Sequence, residues 1–175
     1  MDLKKCIWFI ETKLTYFMYG HVGKNSYIGK TLFVKNRKKL YIGNKVRIYP
    51  GMRVEIVNKS SKITIKDNVS VGQNFHVVSY EDNLIIGSNV TISANVFISN
   101  VDHNYITMDK SVLDQDLIAK KTIIGDGCFI GYGACILPGT ILGKNCVVGA
   151  NAVVKGVFEE CSVVGGVPAK LLKKL

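Results

Sequence analysis

The sequence predicts an all-β chain wound into a parallel β-helix and preceded by one short α-helix, and three observations within residues 124–154 carry the prediction. An aliphatic residue returns at every sixth position: Ile124, Ile130, Ile136, Leu142, Val148 and Val154. Four residues after each of the first five stands Cys128, Ala134, Thr140, Cys146 or Ala152, all small, and only the last unit departs, with Phe158. Gly125, Gly131, Gly143 and Gly149 directly follow the aliphatic residue. A helix of 3.6 residues per turn cannot hold a six-residue spacing on one face, whereas three six-residue sides closing a triangular coil turn every aliphatic residue inward.

The same beat is present upstream at Ile28 and Val34, at Ile42, Ile48 and Val54, at Ile65, Val71 and Val77, and at Ile86, Ile92 and Ile98. Coils one strand spacing apart, about 4.8 Å, then stack into a short prism with a core of Ile and Val. The spacing slips between these groups, so longer corner turns are expected near Asn58–Lys62 and Ser79–Asn83, on a rim where loops gather function. One gap is far larger. Ile98 and Ile124 are 26 positions apart, so Asn100 to Lys121 must leave the coil as an extended loop, and such loops in compact domains are usually functional or disordered.

At the N-terminus, Leu3, Ile7, Ile10, Leu14 and Phe17 recur at helical spacing among Lys4, Lys5, Glu11 and Lys13, and Gly20 and Gly23 end the run. The preferred reading is a lid packed over the first coil, shielding its open strand edge. The alternative, given Trp8, Phe9 and Phe17 beside lysines, is a helix lying on an anionic membrane. At the other end, Pro168 and the Leu171–Leu175 tail suggest a short capping helix. The expected organisation is one domain: residues 1–23 as helix and cap, 24–167 as the β-helix with its loop at 100–121, and 168–175 as a C-terminal cap.

The totals agree. At 175 residues and 47% hydrophobic content the chain forms one sizeable core. No run of eighteen apolar residues and no leader-type cleavage site is visible, so a cytoplasmic location is expected, with the inner membrane face as the place of any peripheral contact. Five cysteines, an odd number without a CxxC pair, do not imply disulfides, and Cys128 and Cys146 fall in the small inward slot as buried thiols. The net charge of +10 favours anionic partners. Nucleic acid has only that charge behind it, without a recognisable module.

Further motifs carry a resemblance to a known family. Ile92-Ser-Ala-Asn-Val-Phe-Ile-Ser99 leads into Asp102-His103-Asn104, followed by Ile123-Ile-Gly-Asp-Gly-Cys-Phe-Ile-Gly131, Ile136-Leu-Pro-Gly139, Val148-Gly-Ala-Asn151 and Gly166-Val-Pro-Ala-Lys170. Over about Ile63 to Lys173 the chain resembles the left-handed β-helix (hexapeptide-repeat) acyltransferases, in particular bacterial polysaccharide and O-antigen sugar O-acetyltransferases and the maltose and galactoside acetyltransferases. The resemblance supplies the left-handedness, against the usual right-handed crossover. It implies a homotrimer with acetyl-CoA in the groove between subunits, a carbohydrate acceptor, and the long loop reaching over both.

By the same resemblance His103 is the general base. An imidazole suits the task of taking the proton of a sugar hydroxyl as it attacks the thioester. Asp102, Glu81 and Asp82 are the candidate orienters of its ring. Asp102 neighbours it, but neighbours in an extended segment point to opposite sides. Gly131 and Tyr132 are the candidate backbone oxyanion donors. The expected acyl-CoA path runs by Phe129, where many relatives carry Trp, then Gly131, Gly149 and Ala150, with Lys155, Lys170 and Lys173 reaching the phosphates. Asn74, His76, Tyr80 and Asn104 are the candidate acceptor contacts.

Two other reactions on the same fold stay open: N-acetylation of a nucleotide-linked amino sugar, and O-acetylation of a streptogramin-type antibiotic. A zinc centre of the γ-carbonic-anhydrase type requires three convergent histidines. With only His21, His76 and His103, and no pair a few residues apart, it is disfavoured, and no metal is expected. A non-enzymatic scaffold is the remaining alternative, and it predicts no acetyl-CoA binding.

Overall fold

The computed structural model describes residues 3–175; residues 1 and 2, within the expected N-terminal cap, lie outside the described residues. The chain winds through three sheets of seven, eight and six strands, parallel except at the last strand of the second, and successive strands of the coil pass from one sheet to the next. We call these faces I, II and III. Each face contributes one inward ladder. Val22, Ile42, Ile65, Ile86, Ile124, Leu142 and Phe158 stack on face I. Ile28, Ile48, Val71, Ile92, Ile130, Val148 and Val164 stack on face II, and Val34, Val54, Val77, Ile98, Ile136 and Val154 on face III.

The six-residue beat is therefore the register of the sheets. Nearly every ladder residue is fully buried, and each Ile or Val removed from water contributes about 1.5–3 kcal/mol. The second inward slot holds Cys128, Ala134, Thr140, Cys146 and Ala152, all buried as expected. Phe158 is no exception to that slot, because it pairs with Leu142 and so occupies the ladder position after a shortened corner. The coil also starts earlier than Ile28, since His21–Val22 already pairs with Tyr41–Ile42.

The corners are built from left-handed residues. Eight of the eleven non-glycine residues with positive φ among the described residues are asparagines, the residue type that best tolerates this conformation after glycine. Several stack by side chain: Asn68 donates to Asn89 at 2.8 Å, and Asn74 to Asn95 at 3.0 Å. The longer corners fall where the spacing slips. Asn58 Oδ1 accepts the Ser61 backbone N–H at 3.0 Å, and Ser79 Oγ donates to the Asp82 carbonyl at 2.8 Å.

Both ends differ from expectation. Helix α1, Leu3–Thr15, continues as a 3-10 turn over Tyr16–Met18 and packs on the first coil. However, its packed side is not the apolar stripe. Thr12 is its one buried residue and accepts the Ile28 N–H at 2.8 Å, while Trp8 lies 6.0 Å from both the Tyr27 and Tyr49 rings. Leu3, Ile7, Ile10, Leu14 and Phe17, expected to face the coil, are exposed. The Thr12 hydroxyl satisfies the Ile28 N–H on the open edge of the first strand of face II, so polar Thr12 goes inward. At the C-terminus the expected capping helix is a strand: Ala169–Lys174 runs antiparallel to Ser162–Gly166 and extends face II. The unpaired edge of Ser162–Gly166 offers hydrogen-bond partners that a helix would leave open.

Candidate functional site

The long loop is an arm with a pinned foot. Val101–His103 pairs antiparallel with Leu117–Ala119, and Asn104 N–H donates to the Asp116 carbonyl at 3.0 Å. Below this hairpin, Asn100 and Thr122 are fully buried. Asn100 clamps the backbone of Tyr80 in the preceding coil, accepting its N–H at 2.7 Å and donating to its carbonyl at 3.1 Å. Thr122 Oγ1 donates to the Ser99 and Lys120 carbonyls and accepts the Gly139 N–H at 3.1 Å. The arm thus interrupts the chain without disturbing the coil: Ile85–Ile86 pairs with Ile123–Ile124 as directly as any other rung. Beyond the foot, Tyr105, Ile106, Met108 and Leu113 expose large apolar side chains.

His103 closes the outer end of the hairpin strand and is exposed. The three candidate orienters are engaged elsewhere. Asp102 Oδ1 accepts the His103 backbone N–H at 3.1 Å, so it fixes the loop and not the ring. Asp82 Oδ1 accepts the Asn83 N–H at 2.7 Å. Glu81, in the left-handed region, donates its N–H to Asn58 and is hydrogen-bonded by the Tyr80 hydroxyl. Desolvation, then the charge and hydrogen bond of Glu81 and the charge of Asp116, push the Tyr80 hydroxyl above its ordinary pKa. Tyr80, Glu81 and the Asp116 end of the arm therefore gather at one place, the corner between faces III and I.

The other candidates lie at the corner between faces II and III. Gly131 cannot donate to an oxyanion, because its N–H is bound to the Val148 carbonyl at 2.9 Å. A Cβ there would come within 2.7 Å of the Ala150 N and the Val148 carbonyl oxygen. This glycine serves the close stacking of coils. Tyr132 is exposed, its N–H has no acceptor among the described residues, and its hydroxyl takes a hydrogen bond from Asn95 at 2.6 Å. At Gly149 a Cβ would find nothing nearer than 3.5 Å, so the backbone surface there is open. Lys170 pairs with Gly165 across the last strands, beside that opening. Tyr132, Ala150 and Lys170 thus line one edge.

The remaining candidates fall outside this edge. Lys155 sits at the III–I corner, Lys173 lies further along face II opposite Val163, and Phe129 stands outward on face II between Thr91 and Val147. Asn74 is occupied as a corner residue in its stack with Asn95. Face III, between the two corners, holds a group that sequence reasoning did not assemble. His76 Nε2 lies 2.9 Å from Glu55 Oε1, which also accepts Arg53 Nε at 2.8 Å, and its ring stands edge-on to Phe97 at 5.0 Å. The Arg53 hydrogen bond, with a smaller contribution from His76, holds the Glu55 carboxyl below its usual range. The ladder pairing of Arg53, His76 and Phe97 was the available signal, since it follows once the register is fixed.

In one chain, then, the candidate base and the candidate oxyanion edge are separated by the width of face III. The strand Cys135–Ile136 of face III lies between the Tyr132 corner and the Gly139 corner, where Thr122 at the foot of the arm binds. No hydrogen bond or ring contact joins His103 to Tyr132 among the described residues. No group of three or more His, Cys, Asp or Glu is placed to hold a metal ion among the described residues.

Residues 121–155 match the family model described as the hexapeptide repeat of succinyl-transferase. A putative lipopolysaccharide biosynthesis O-acetyl transferase of Escherichia coli K12 is 33% identical over 119 residues, covering 64% of this chain and 60% of that protein. The chain therefore spans about 60% of that relative's length. Among solved structures, the N-acyltransferase AntD from Bacillus cereus, in complex with dTDP and 3-hydroxybutyryl-CoA, superimposes with a TM-score of 0.81 at 21% identity, covering 94% of this chain and 87% of that one. A galactoside acetyltransferase in complex with coenzyme A gives 0.63 at 22% identity, covering 93% and 68%. At these identities the structural likeness establishes the fold.

Proposed function

We propose that the chain, which matches the hexapeptide-repeat model and resembles an O-acetyl transferase, transfers an acetyl group from acetyl-CoA to a hydroxyl of a sugar in a surface polysaccharide or its precursor. One observation carries the reading: the single large break in the repeat ends in a clamped hairpin that presents His103, an exposed imidazole, outside the rigid prism. The name of the Escherichia coli relative, a lipopolysaccharide O-acetyl transferase, supports the class of acceptor.

The chemistry follows from the residues. A hydroxyl is a weak nucleophile at neutral pH. His103 accepts its proton as the oxygen attacks the thioester carbonyl, the tetrahedral oxyanion forms, and its collapse expels the CoA thiolate, to which the imidazolium returns the proton. General-base help of this kind is worth about 10²- to 10⁴-fold. The residues at the II–III edge fit an acyl-CoA: Tyr132 offers an unused N–H, the open backbone at Gly149 admits a chain in close approach, and Lys170 supplies a cation for phosphate.

Because base and edge lie at opposite corners of face III, a homotrimer is part of the proposal. Packing the arm of one protomer against the II–III edge of its neighbour unites the two halves, and the apolar arm residues Tyr105, Ile106, Met108 and Leu113 gain a surface to cover them. The test is release of CoA thiol from acetyl-CoA with sugar acceptors bearing hydroxyl groups, with nucleotide-linked amino sugars, and with hydroxylated antibiotics, for the native protein and His103→Ala. The expected result is turnover with hydroxyl sugars that falls about 10²- to 10⁴-fold in the variant. Turnover only with amino sugars or antibiotics would replace the acceptor assignment, and an unchanged rate for His103→Ala would remove the base.

A further inference from the structure

We propose that the outward stripe of α1 docks the N-terminal end of the prism on an anionic lipid surface. The proposal is independent of the acetyl-transfer reading and rests on three features. First, Leu3, Ile7, Ile10 and Leu14 are 74%, 46%, 58% and 69% exposed. At 100° per residue they fall within a narrow stripe centred opposite Thr12, the residue bonded to the first coil. The helix is held on one side by Thr12 and Trp8 and presents the other, apolar, side to solvent, continued by exposed Tyr16 and Phe17.

Second, charge is concentrated at this end. Residues 1–39 hold nine lysines and arginines against two acids, which is seven of the ten net positive charges of the chain. Third, those charges flank the helix on both sides. The groove along one flank of α1 is lined by Lys13 and Lys24, and the groove along the other by Lys30 and Arg37, with Glu11 as the only acid among the described residues that line them. Arg37 also contacts Met18 Sδ at 3.7 Å, and Lys38 hydrogen-bonds the Phe17 carbonyl, which ties a further basic turn, Arg37–Lys39, to the end of the helix.

An apolar helix face between rows of cations is the arrangement that lies in a headgroup layer, apolar side down and cations toward phosphates. A soluble polyanion would engage the lysines but leave the stripe in water. A second copy of the chain would cover the stripe but bring two basic ends together, where like charges repel. An anionic lipid surface satisfies both features together.

The experiment is co-sedimentation of the full chain with vesicles of phosphatidylcholine alone or mixed with phosphatidylglycerol, at low and high salt, with oligomeric mass measured in parallel by light scattering. The expected result is binding to the anionic vesicles that weakens with salt. Ile7→Ser/Ile10→Ser/Leu14→Ser should lower partitioning by at least about tenfold, and Lys13→Gln/Lys24→Gln/Lys30→Gln should lower it on anionic vesicles only. Both variants alter exposed positions, and their thermal melts report whether the fold is kept. A native protein that stays in the supernatant with anionic vesicles overturns the proposal. So does a serine variant that keeps its fold and binds as well as the native chain. A serine variant that loses oligomeric mass, with no vesicle binding by the native chain, would assign the stripe to a second copy.

Discussion

If the arm of one protomer meets the II–III edge of the next, two differently damaged chains should repair each other. His103→Ala removes the base and leaves the edge intact. Ala150→Trp does the opposite, filling the open backbone beside Gly149 with an indole at an exposed position that the fold tolerates. Each variant alone should be nearly inactive as a trimer. In trimers reassembled from equal amounts, a site works only where an Ala150→Trp chain supplies His103 and a His103→Ala chain supplies the edge. With random assembly that pairing occurs at about one quarter of the sites in a cyclic trimer. The assay is CoA release after joint unfolding and refolding, compared with separately refolded chains mixed afterwards. Recovery near a quarter of native activity is expected in the first sample and none in the second. No recovery from trimers shown to be mixed would mean that one chain holds the whole site and would refute the two-corner geometry.

Three further outcomes are expected. Gly131→Ala should destabilise by about 1–3 kcal/mol, because its Cβ would meet backbone atoms at 2.7 Å, whereas Gly149→Ala should leave the melt unchanged. Thermal melts, at about 2–4 °C per kcal/mol for a chain of this size, separate the two. Cys128 and Cys146 should resist a thiol reagent until the protein unfolds, because both are buried and burial pushes the Cys128 thiol up to about 12. The half-exposed Cys6, Cys135 and Cys161 should react first, which timed labelling and mass measurement would show. Glu55, held below the ordinary 4.5, contributes stability that is present above that value and lost as pH falls through its lower folded value. Glu55→Gln should flatten that part of the acid unfolding profile, and an equally steep profile would show that the Arg53 and His76 contacts contribute nothing.

The frame was legible because the beat has a single cause. An inward aliphatic residue every sixth position is what a triangular coil requires, and the ladders of Ile28 to Val164 and Val34 to Val154 follow it rung by rung. A second signal was equally present and went unused. Asn or Gly stands immediately before the second inward residue, as in Asn68-Val69, Asn89-Val90, Gly127-Cys128, Asn145-Cys146 and Asn151-Ala152. That position needs positive φ, which only these residues adopt cheaply.

The site was less legible, since sequence proximity is a poor guide to where groups point. Asp102 adjoins His103 yet binds backbone, and Glu81 answers to Tyr80. Gly131 resembles a ligand-approach glycine, but it is required by the next coil, a distinction invisible without the distance to Ala150. Helix α1 misled for a related reason. Periodicity finds an apolar stripe but not its partner, and here the coil edge took the hydrogen-bonding side of the helix.

The pinned foot of the arm has one more consequence. Because Asn100 and Thr122 close the corner from within and the rungs above and below pair without a shift, the solenoid is indifferent to what hangs from that point. Lengthening a corner of about four residues to an arm of about 22 adds only about 1.5 kcal/mol of closure entropy. The corner behaves as a socket and the arm as an exchangeable tool. Arms of other lengths, grafted between Asn100 and Thr122, should change what the prism acts on while the prism itself stays the same.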